Sequence, residues 1–496
     1  MKRRAPFRLS ALFPVLALVW LLSGCAAVGP DYVPPEVPAP HGWSTELAGG
    51  LTAGEMDPEV LARWWTVLGD PVLTGLVERA VKGNLELREA RGRVREARAR
   101  RGISGAGLLP AVGASGSATK SRGSEELGGG AERDLYSAGL DARWELDIFG
   151  GLRRSVEAAE ADLEASREDL RDVLVTLLSE VALNYVDLRS FQERIAIAEA
   201  NLDAQRETHD IVRWRFEAGL ANQLEVDQSR LNLEQTRSQI PPLRTAALQA
   251  LNRLSVLLGE SPGSLRDELS GGGSVPVTPL EVAVGVPADA LRQRPDVRRA
   301  ERQLAAQTAR VGVAVADLYP KFTLSGSIGL EALEPGKLFS AGSRAFSSGP
   351  GFTWNVFSGG ALRRNIEAQT AAEEQALARY ESTVLAALEE VENALAAYAQ
   401  EQARRQSLAE AAGAARSAVE LSLQQYTSGL IDFQTVLDSQ RSLLSLEDQL
   451  ASSGSEVTSN LIRLYKALGG GWTSLAPDSG PATEEIMDQA RKTDGR

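Results

Sequence analysis

Polar and apolar positions alternate most cleanly from Leu140, where Leu140, Ala142, Trp144, Leu146 and Ile148 share one parity and Asp141, Arg143, Glu145 and Asp147 share the other. That period of two predicts a strand with one apolar and one polar face. Phe322, Leu324, Ile328 and Leu330 alternate in the same way with Thr323, Ser325, Ser327 and Glu331, and Phe352, Trp354 and Val356 with Thr353 and Asn355. Val112 to Thr119 repeats the pattern with smaller side chains. Four strands in two hairpins are expected, with tips at Ser121–Asp134 and Glu334–Ser343. Each run is close to the roughly nine to eleven residues that a tilted strand needs to cross a bilayer.

Between and after the hairpins the period changes. From Arg153 to Glu217 no proline interrupts, and Val156, Ala159, Leu163, Leu170, Leu174, Leu177, Val181, Tyr185, Leu188, Ile195 and Leu202 recur mostly in steps of three and four. This is coiled-coil spacing, over a segment of roughly 95 Å if helical throughout. Leu362 to Thr427 repeats it with Leu377, Tyr380, Val384, Leu388, Val391, Leu395 and Tyr398. Each long helix is expected to end at a glycine turn, Gly219-Leu220 or Gly429-Leu430, because a helix C-terminus favours a left-handed residue there. Return helices follow over Leu224–Leu258 and Phe433–Leu468.

The two halves match at a constant offset of 210: Ala90 answers Ala300, Pro110 Pro320, Trp144 Trp354, Leu152-Arg153-Arg154 Leu362-Arg363-Arg364, and Gly219-Leu220 Gly429-Leu430. Because a one-residue slip would turn every strand residue to the wrong face, so strict a register predicts the same supersecondary unit built twice. The strands themselves admit two readings. They fit one half of a soluble antiparallel sheet, or they fit a membrane. Four strands cannot close a membrane barrel, and an open edge in hydrocarbon leaves backbone groups unsatisfied. In the membrane reading several chains share one barrel, and three would supply twelve strands.

Composition narrows the class. In 496 residues aromatics make up 5% and glycine is frequent at 46, which suits long Ala-rich helices and Gly-bearing strands. Asp and Glu number 66 against 53 Lys and Arg, a balance that does not suit nucleic acid as a partner. Lys2, Arg3, Arg4 and Arg8 precede the apolar run Leu9–Leu22, the pattern of a secretory signal. Leu22-Ser23-Gly24-Cys25 resembles the bacterial lipoprotein box, in which the cysteine is lipidated and becomes the mature N-terminus; the alternative is an isolated thiol beside a cleavage site. Cys25 is the single cysteine, so neither an intrachain disulfide nor a cysteine metal cluster is expected. Catalysis is not expected either. Gly259-Glu260-Ser261-Pro262-Gly263 matches a nucleophile elbow in letters, but it follows a helical pattern and Pro262 lacks the N–H that an oxyanion hole needs. The two histidines, His41 and His209, lie in the N-terminal extension and on a long helix.

Cys25-Ala26-Ala27-Val28-Gly29-Pro30-Asp31-Tyr32, Pro34-Pro35-Glu36 and Trp43 resemble the mature start of bacterial outer membrane efflux lipoproteins of the TolC and OprM type, including NodT-type members. Trp64–Arg101, Ile240-Pro241-Pro242-Leu243 through Asn252-Arg253-Leu254, Val286-Pro287-Ala288-Asp289, Arg294-Pro295-Asp296-Val297 and Val313–Pro320 resemble the same family, so the likeness covers nearly all the mature chain to about Trp472. It implies a homotrimer with a twelve-strand outer membrane barrel continued by a periplasmic α-helical coiled-coil barrel. It also implies a role as the outer channel of a tripartite efflux system, conducting drugs or other small solutes passively from an inner membrane RND-type pump and a periplasmic adaptor. The expected organisation is a signal peptide over 1–24 and a lipid-anchored extended segment over 25–60. A first repeat over 61–258 carries a strand hairpin at 111–149 and a helical hairpin at 152–258. An equatorial linker over 259–287 leads to a second repeat over 288–468, with its strand hairpin at 321–358 and helical hairpin at 362–468, and a tail over 469–496.

By the same resemblance Asp438 stands at an acidic gate ring, Arg441 at its basic neighbour, and Gln434 where relatives carry a bulky apolar residue. Gly219, Leu220, Gly429 and Leu430 would form the adaptor-contacting tips. The covalent lipid on Cys25 is the one attached group implied, with outer membrane lipid as its partner and no cofactor or metal. Two other readings remain open, a type I secretion-like export duct and a non-porous lipoprotein spanning the periplasm.

Overall fold

A computed structural model describes residues 27–36, 40–54, 57–127, 129–279 and 281–472. Cys25, the signal segment and the tail beyond Trp472 lie outside the described residues. The chain forms two compact units, and each draws on both sequence repeats. Among the described residues no helix is long and apolar enough to cross a membrane.

In chain order the elements are β1 (Leu51–Thr52), α1 (Pro58–Ala62), α2 (Pro71–Gly83), α3 (Leu85–Ala106), β2 (Ala111–Arg122), β3 (Glu132–Leu146), α4 (Gly151–Glu217), α5 (Gln223–Leu257) and α6 (Arg266–Leu269). They continue as β4 (Val282–Ala283), α7 (Pro287–Gln293), α8 (Pro295–Ala316), β5 (Lys321–Ala332), β6 (Arg344–Thr353), α9 (Ala361–Thr427) and α10 (Phe433–Ala467). The bounds of α3, β2, α4 and α5 recur 210 residues later as those of α8, β5, α9 and α10.

The first unit holds one antiparallel sheet in the order β2-β3-β5-β6. Its register keeps the two faces apart. Leu140 lies opposite Ala114 and Ile328, Trp144 opposite Leu324, and Phe352 opposite Phe322, while Ser117 lies opposite Ser137, Arg143 opposite Ser325 and Ser327 opposite Ser347. Hydroxyls bridge the polar face: Ser115 Oγ donates to Asp141 Oδ2 at 2.8 Å, and the Ser117–Ser137 and Ser327–Ser347 pairs each meet at 2.9 Å. The apolar face is uncovered, with Leu140 52%, Ile328 66% and Phe346 85% exposed. At its base the indoles of Trp144 and Trp354 donate to the carbonyls of Leu108 and Leu318, at 2.9 and 3.0 Å, fastening each hairpin to the end of the helix before it.

One strand differs from the sequence expectation. The alternation at Phe352, Trp354 and Val356 points to a strand there, whereas β6 runs from Arg344 and stops at Thr353. The strand begins just after the expected tip, at Arg344, and Gly349, Pro350 and Gly351 break the alternation in its second half, which an edge strand tolerates because one of its sides has no partner to lose.

The second unit is built on an apolar core shared by α4, α5, α9, α10 and the shorter elements, with Trp64, Leu178, Val181, Leu254, Leu265, Leu395, Tyr398 and Leu461 fully buried. Trp64 stacks on Tyr465 with centroids 5.8 Å apart. The linker is held here, since β1 pairs in parallel with β4 and Trp43 Nε1 donates to the Gly285 carbonyl at 3.0 Å. Buried Arg294 binds the carboxylates of Asp296 and Glu390 and donates to the Ala467 carbonyl at 2.7 Å, closing the end of α10. Gly83 and Gly259 sit back to back: a Cβ on Gly83 would lie 2.2 Å from the Leu258 carbonyl oxygen, and one on Gly259 2.2 Å from the Gly83 oxygen. Alanine normally favours a helix over glycine by about 1 kcal/mol, but here backbone must move. Gly83→Ala is therefore expected to lower stability by about 2 kcal/mol, read as a fall in the thermal midpoint of the purified protein. An unchanged or raised midpoint would contradict this packing.

Candidate functional site: the helical hairpin tips

Both tips lie in the second unit. Gly219 and Gly429 adopt φ of 74° and 76°, and the N–H groups of Leu220 and Leu430 donate back to the carbonyls of Arg215 and Gln425, at 2.8 and 2.9 Å. This is the left-handed closure expected of the Gly-Leu pairs. Leu220 and Leu430 are left exposed. The return helices start on side-chain caps, Asn222 accepting from the Glu225 amide and Asp432 from the Thr435 amide, both at 3.1 Å. Asp432 also accepts from the Thr435 hydroxyl at 2.8 Å, and these two bonds, the hydroxyl first, hold its carboxyl below the ordinary aspartate range.

Inside the tips Val212, Tyr426, Phe433, Val436 and Leu437 form an apolar cluster. Tyr426, on α9, reaches α5 by donating its hydroxyl to Glu225 Oε2 at 2.6 Å. Arg215, on α4, lies 4.8 Å over the Tyr426 ring and donates to the Thr427 carbonyl at 3.0 Å. Burial and the Glu225 contact push the Tyr426 hydroxyl far above its ordinary pKa, so it remains a donor. Beyond this cluster is a polar line. Arg441 Nε donates to Asn232 Oδ1 at 3.1 Å, Asn232 Nδ2 to Gln440 Oε1 at 3.3 Å, and Gln440 Nε2 to Thr208 Oγ1 at 2.8 Å, joining α10, α5 and α4.

Asp438, Arg441 and Gln434 all lie on α10, and their contacts divide. Gln434 Nε2 donates to Asp438 Oδ1 at 2.9 Å, within one helical turn, and the Asp438 side chain is 63% exposed. Arg441 stays 4.0 Å from Asp438 and spends its hydrogen bond on Asn232 instead. Sequence reasoning finds the turns and α10 but misses Tyr426, Glu225, Arg215 and Asn232, because their pairings join helices far apart in sequence. His209 Nδ1 lies 2.7 Å from Ser229 Oγ, a contact between α4 and α5, and Gly259–Gly263 follows α5 rather than a strand.

The mixed fold of an antiparallel sheet and long paired helices matches that of solved outer-membrane channels. Residues 76–260 and 286–470 match the family described as outer membrane efflux protein, and the chain belongs to that family of channel proteins. Nodulation protein T of Rhizobium leguminosarum bv. trifolii is 35% identical over 457 residues, covering 92% of this chain and 96% of the relative. The toluene efflux pump outer membrane protein TtgF of Pseudomonas putida is 31% identical over 470 residues, 93% of this chain and 97% of its own. The solved outer-membrane channel OprN superposes with a TM-score of 0.85 at 36% identity, over 90% of this chain and 99% of that one.

The Asp432 cap carries a pH dependence. A depressed carboxyl stabilises the fold above the unfolded pKa, about 4, and that contribution is lost as pH falls through the lower folded value. In far-UV circular dichroism melts, the gap between parent and Asp432→Ala should be full above about pH 4 and narrow as acid is added. A gap independent of pH would remove the cap from the tip's stability.

Proposed function

We propose that the protein is a homotrimeric outer membrane efflux channel that passively conducts small solutes delivered by an inner membrane RND-type pump through a periplasmic adaptor. One observation carries the reading: a sheet with an uncovered apolar face and two edges, β2 and β6, each paired on one side only. Lipid would cover the face, but hydrocarbon cannot satisfy an open edge, so the edges must find each other in neighbouring copies. The repeat supplies a register for this. Arg143 pairs with Ser325 inside the chain, and the same relation advanced by 210 sets Thr353 of one copy opposite Ser115 of the next. Recurring element bounds, and two family matches themselves 210 residues apart, support an internal duplication as the origin of both halves. The toluene efflux role of TtgF favours small organic solutes over the secretion-type alternative.

In this reading Cys25 carries the lipid anchor, the Gly219-Leu220 and Gly429-Leu430 turns meet the adaptor, and three copies of Asp438 ring a constriction that favours cations. The Tyr426–Glu225 bond is the latch between hairpins that opening must break. A hydrogen bond to a charged partner contributes about 1.5 kcal/mol, roughly tenfold in an opening equilibrium. Purified protein should run as a heat-modifiable, detergent-stable trimer with single-channel conductance; a wholly helical spectrum without conductance would favour the periplasmic spacer. Tyr426→Phe is expected to raise open probability up to about tenfold, and Asp438→Ala to raise conductance or antibiotic leak at equal expression. Unchanged conductance in intact trimers of either variant would take that residue out of the gate.

A further inference from the structure

Where α4, α5 and α10 meet, one turn or more from the tip cluster, the crevice between them is lined by polar side chains that the second repeat largely lacks. Gln205, Thr208, Asn232, Thr236 and Gln440 are all buried there. Advanced by 210 residues, Gln205, Thr208, Asn232 and Thr236 become Ala415, Ala418, Ser442 and Leu446. The second repeat builds helices of corresponding bounds without an amide at any of these positions, so the fold alone does not call for them.

Gln440, Thr208 and Asn232 bond one another, and Gln205 is the exception. It is 3% exposed, and among the described residues neither its amide nitrogen nor its amide oxygen has a hydrogen-bond partner. Its direction follows from its neighbours on α4. Asn201 Nδ2 donates to Glu447 Oε2 of α10 at 2.9 Å, Thr208 accepts from Gln440 of α10, and His209 meets Ser229 of α5. At about 100° per residue, Gln205 falls between the side that meets α10 and the side that meets α5, and so points into the crevice. Leu202 and Leu233, buried one turn away in an apolar cluster, offer it nothing to bond. A glutamine amide has two donor hydrogens and an oxygen that accepts, and burying them unmade costs the hydration of the group with no bond in return. That cost lasts only while the three helices stay packed. Once α4 parts from α5 and α10, water satisfies the amide.

We propose that Gln205 is a gating residue that preloads the closed tip: its unpaired amide weakens the packing that the Tyr426–Glu225 latch holds shut and favours separation of α4 from α5 and α10 once that latch breaks. The proposal rests on the channel reading and adds to it a group that promotes opening.

Planar-bilayer recordings and hydrogen exchange on the full-length protein test it together. Gln205→Leu nearly keeps the volume and removes the amide, so open probability should fall by about fivefold or more, and backbone amides of α4 and α5 beside the crevice should exchange more slowly by a similar factor. Thr208→Val, one turn away on the same helix, strands the Gln440 amide instead and should move both quantities the opposite way. Loosened packing alone would raise both quantities in either variant. Gln205→Met, unbranched and adaptable, carries the same expectation should the leucine variant fail to fold. Open probability unchanged or raised in channels of the Gln205 variants, or moved in the same direction by Thr208→Val, would overturn the proposal. A conducting parent whose Gln205 variants gate as it does sinks this proposal alone. A parent that never conducts, while Gln205→Leu still slows exchange, sinks the channel reading and leaves the loaded crevice supported.

Discussion

Backbone hydrogen bonding at the edges of the sheet is the constraint on which the rest depends. The register of β2, β3, β5 and β6 sorts apolar residues to one face and hydroxyl and charged residues to the other, and among the described residues of the first unit none covers the apolar face. Such a face costs free energy in water and is stabilised in lipid, at roughly 25 cal/mol for each Å² removed from water. Lipid then forbids the free N–H and C=O groups of β2 and β6. In the proposed channel, oligomerisation would follow from chemistry already present in one chain.

The two repeats share a backbone plan but not its side-chain contacts. Arg154 and Arg364 occupy the same position at the start of a 67-residue helix, yet one is buried by the N-terminal segment and the other faces outward. The tips diverge likewise: Asn222 caps the first return helix and Asp432 the second, and Tyr426 binds across to Glu225. Two halves with recurring element bounds and the same hairpin register thereby carry distinct surfaces.

Much of this was legible in the sequence, for physical reasons. Period-two alternation marks β3 and β5 because one face must differ from the other, and the glycine turns mark helix ends because φ near +75° excludes most side chains. The start of β6 at Arg344 follows the expected tip, whereas its end at Thr353 falls short of the alternation through Val356, and Gly349, Pro350 and Gly351 carry no alternation. At the gate, Asp438 and Gln434 turn out to pair within one helix, while the contacts between helices fall to Tyr426, Glu225, Asn232 and Arg441. Those partners are separated by about two hundred residues, and no local pattern encodes which side chain meets which across packed helices.

Cysteine cross-linking of the two free edges tests whether sister subunits complete the sheet. With Ser115→Cys and Thr353→Cys in one chain, a sheet completed by sister subunits predicts oxidant-dependent covalent trimers that collapse to monomers on reduction. Cross-links confined within single chains, or none at all from protein that is folded and membrane-inserted, would contradict it.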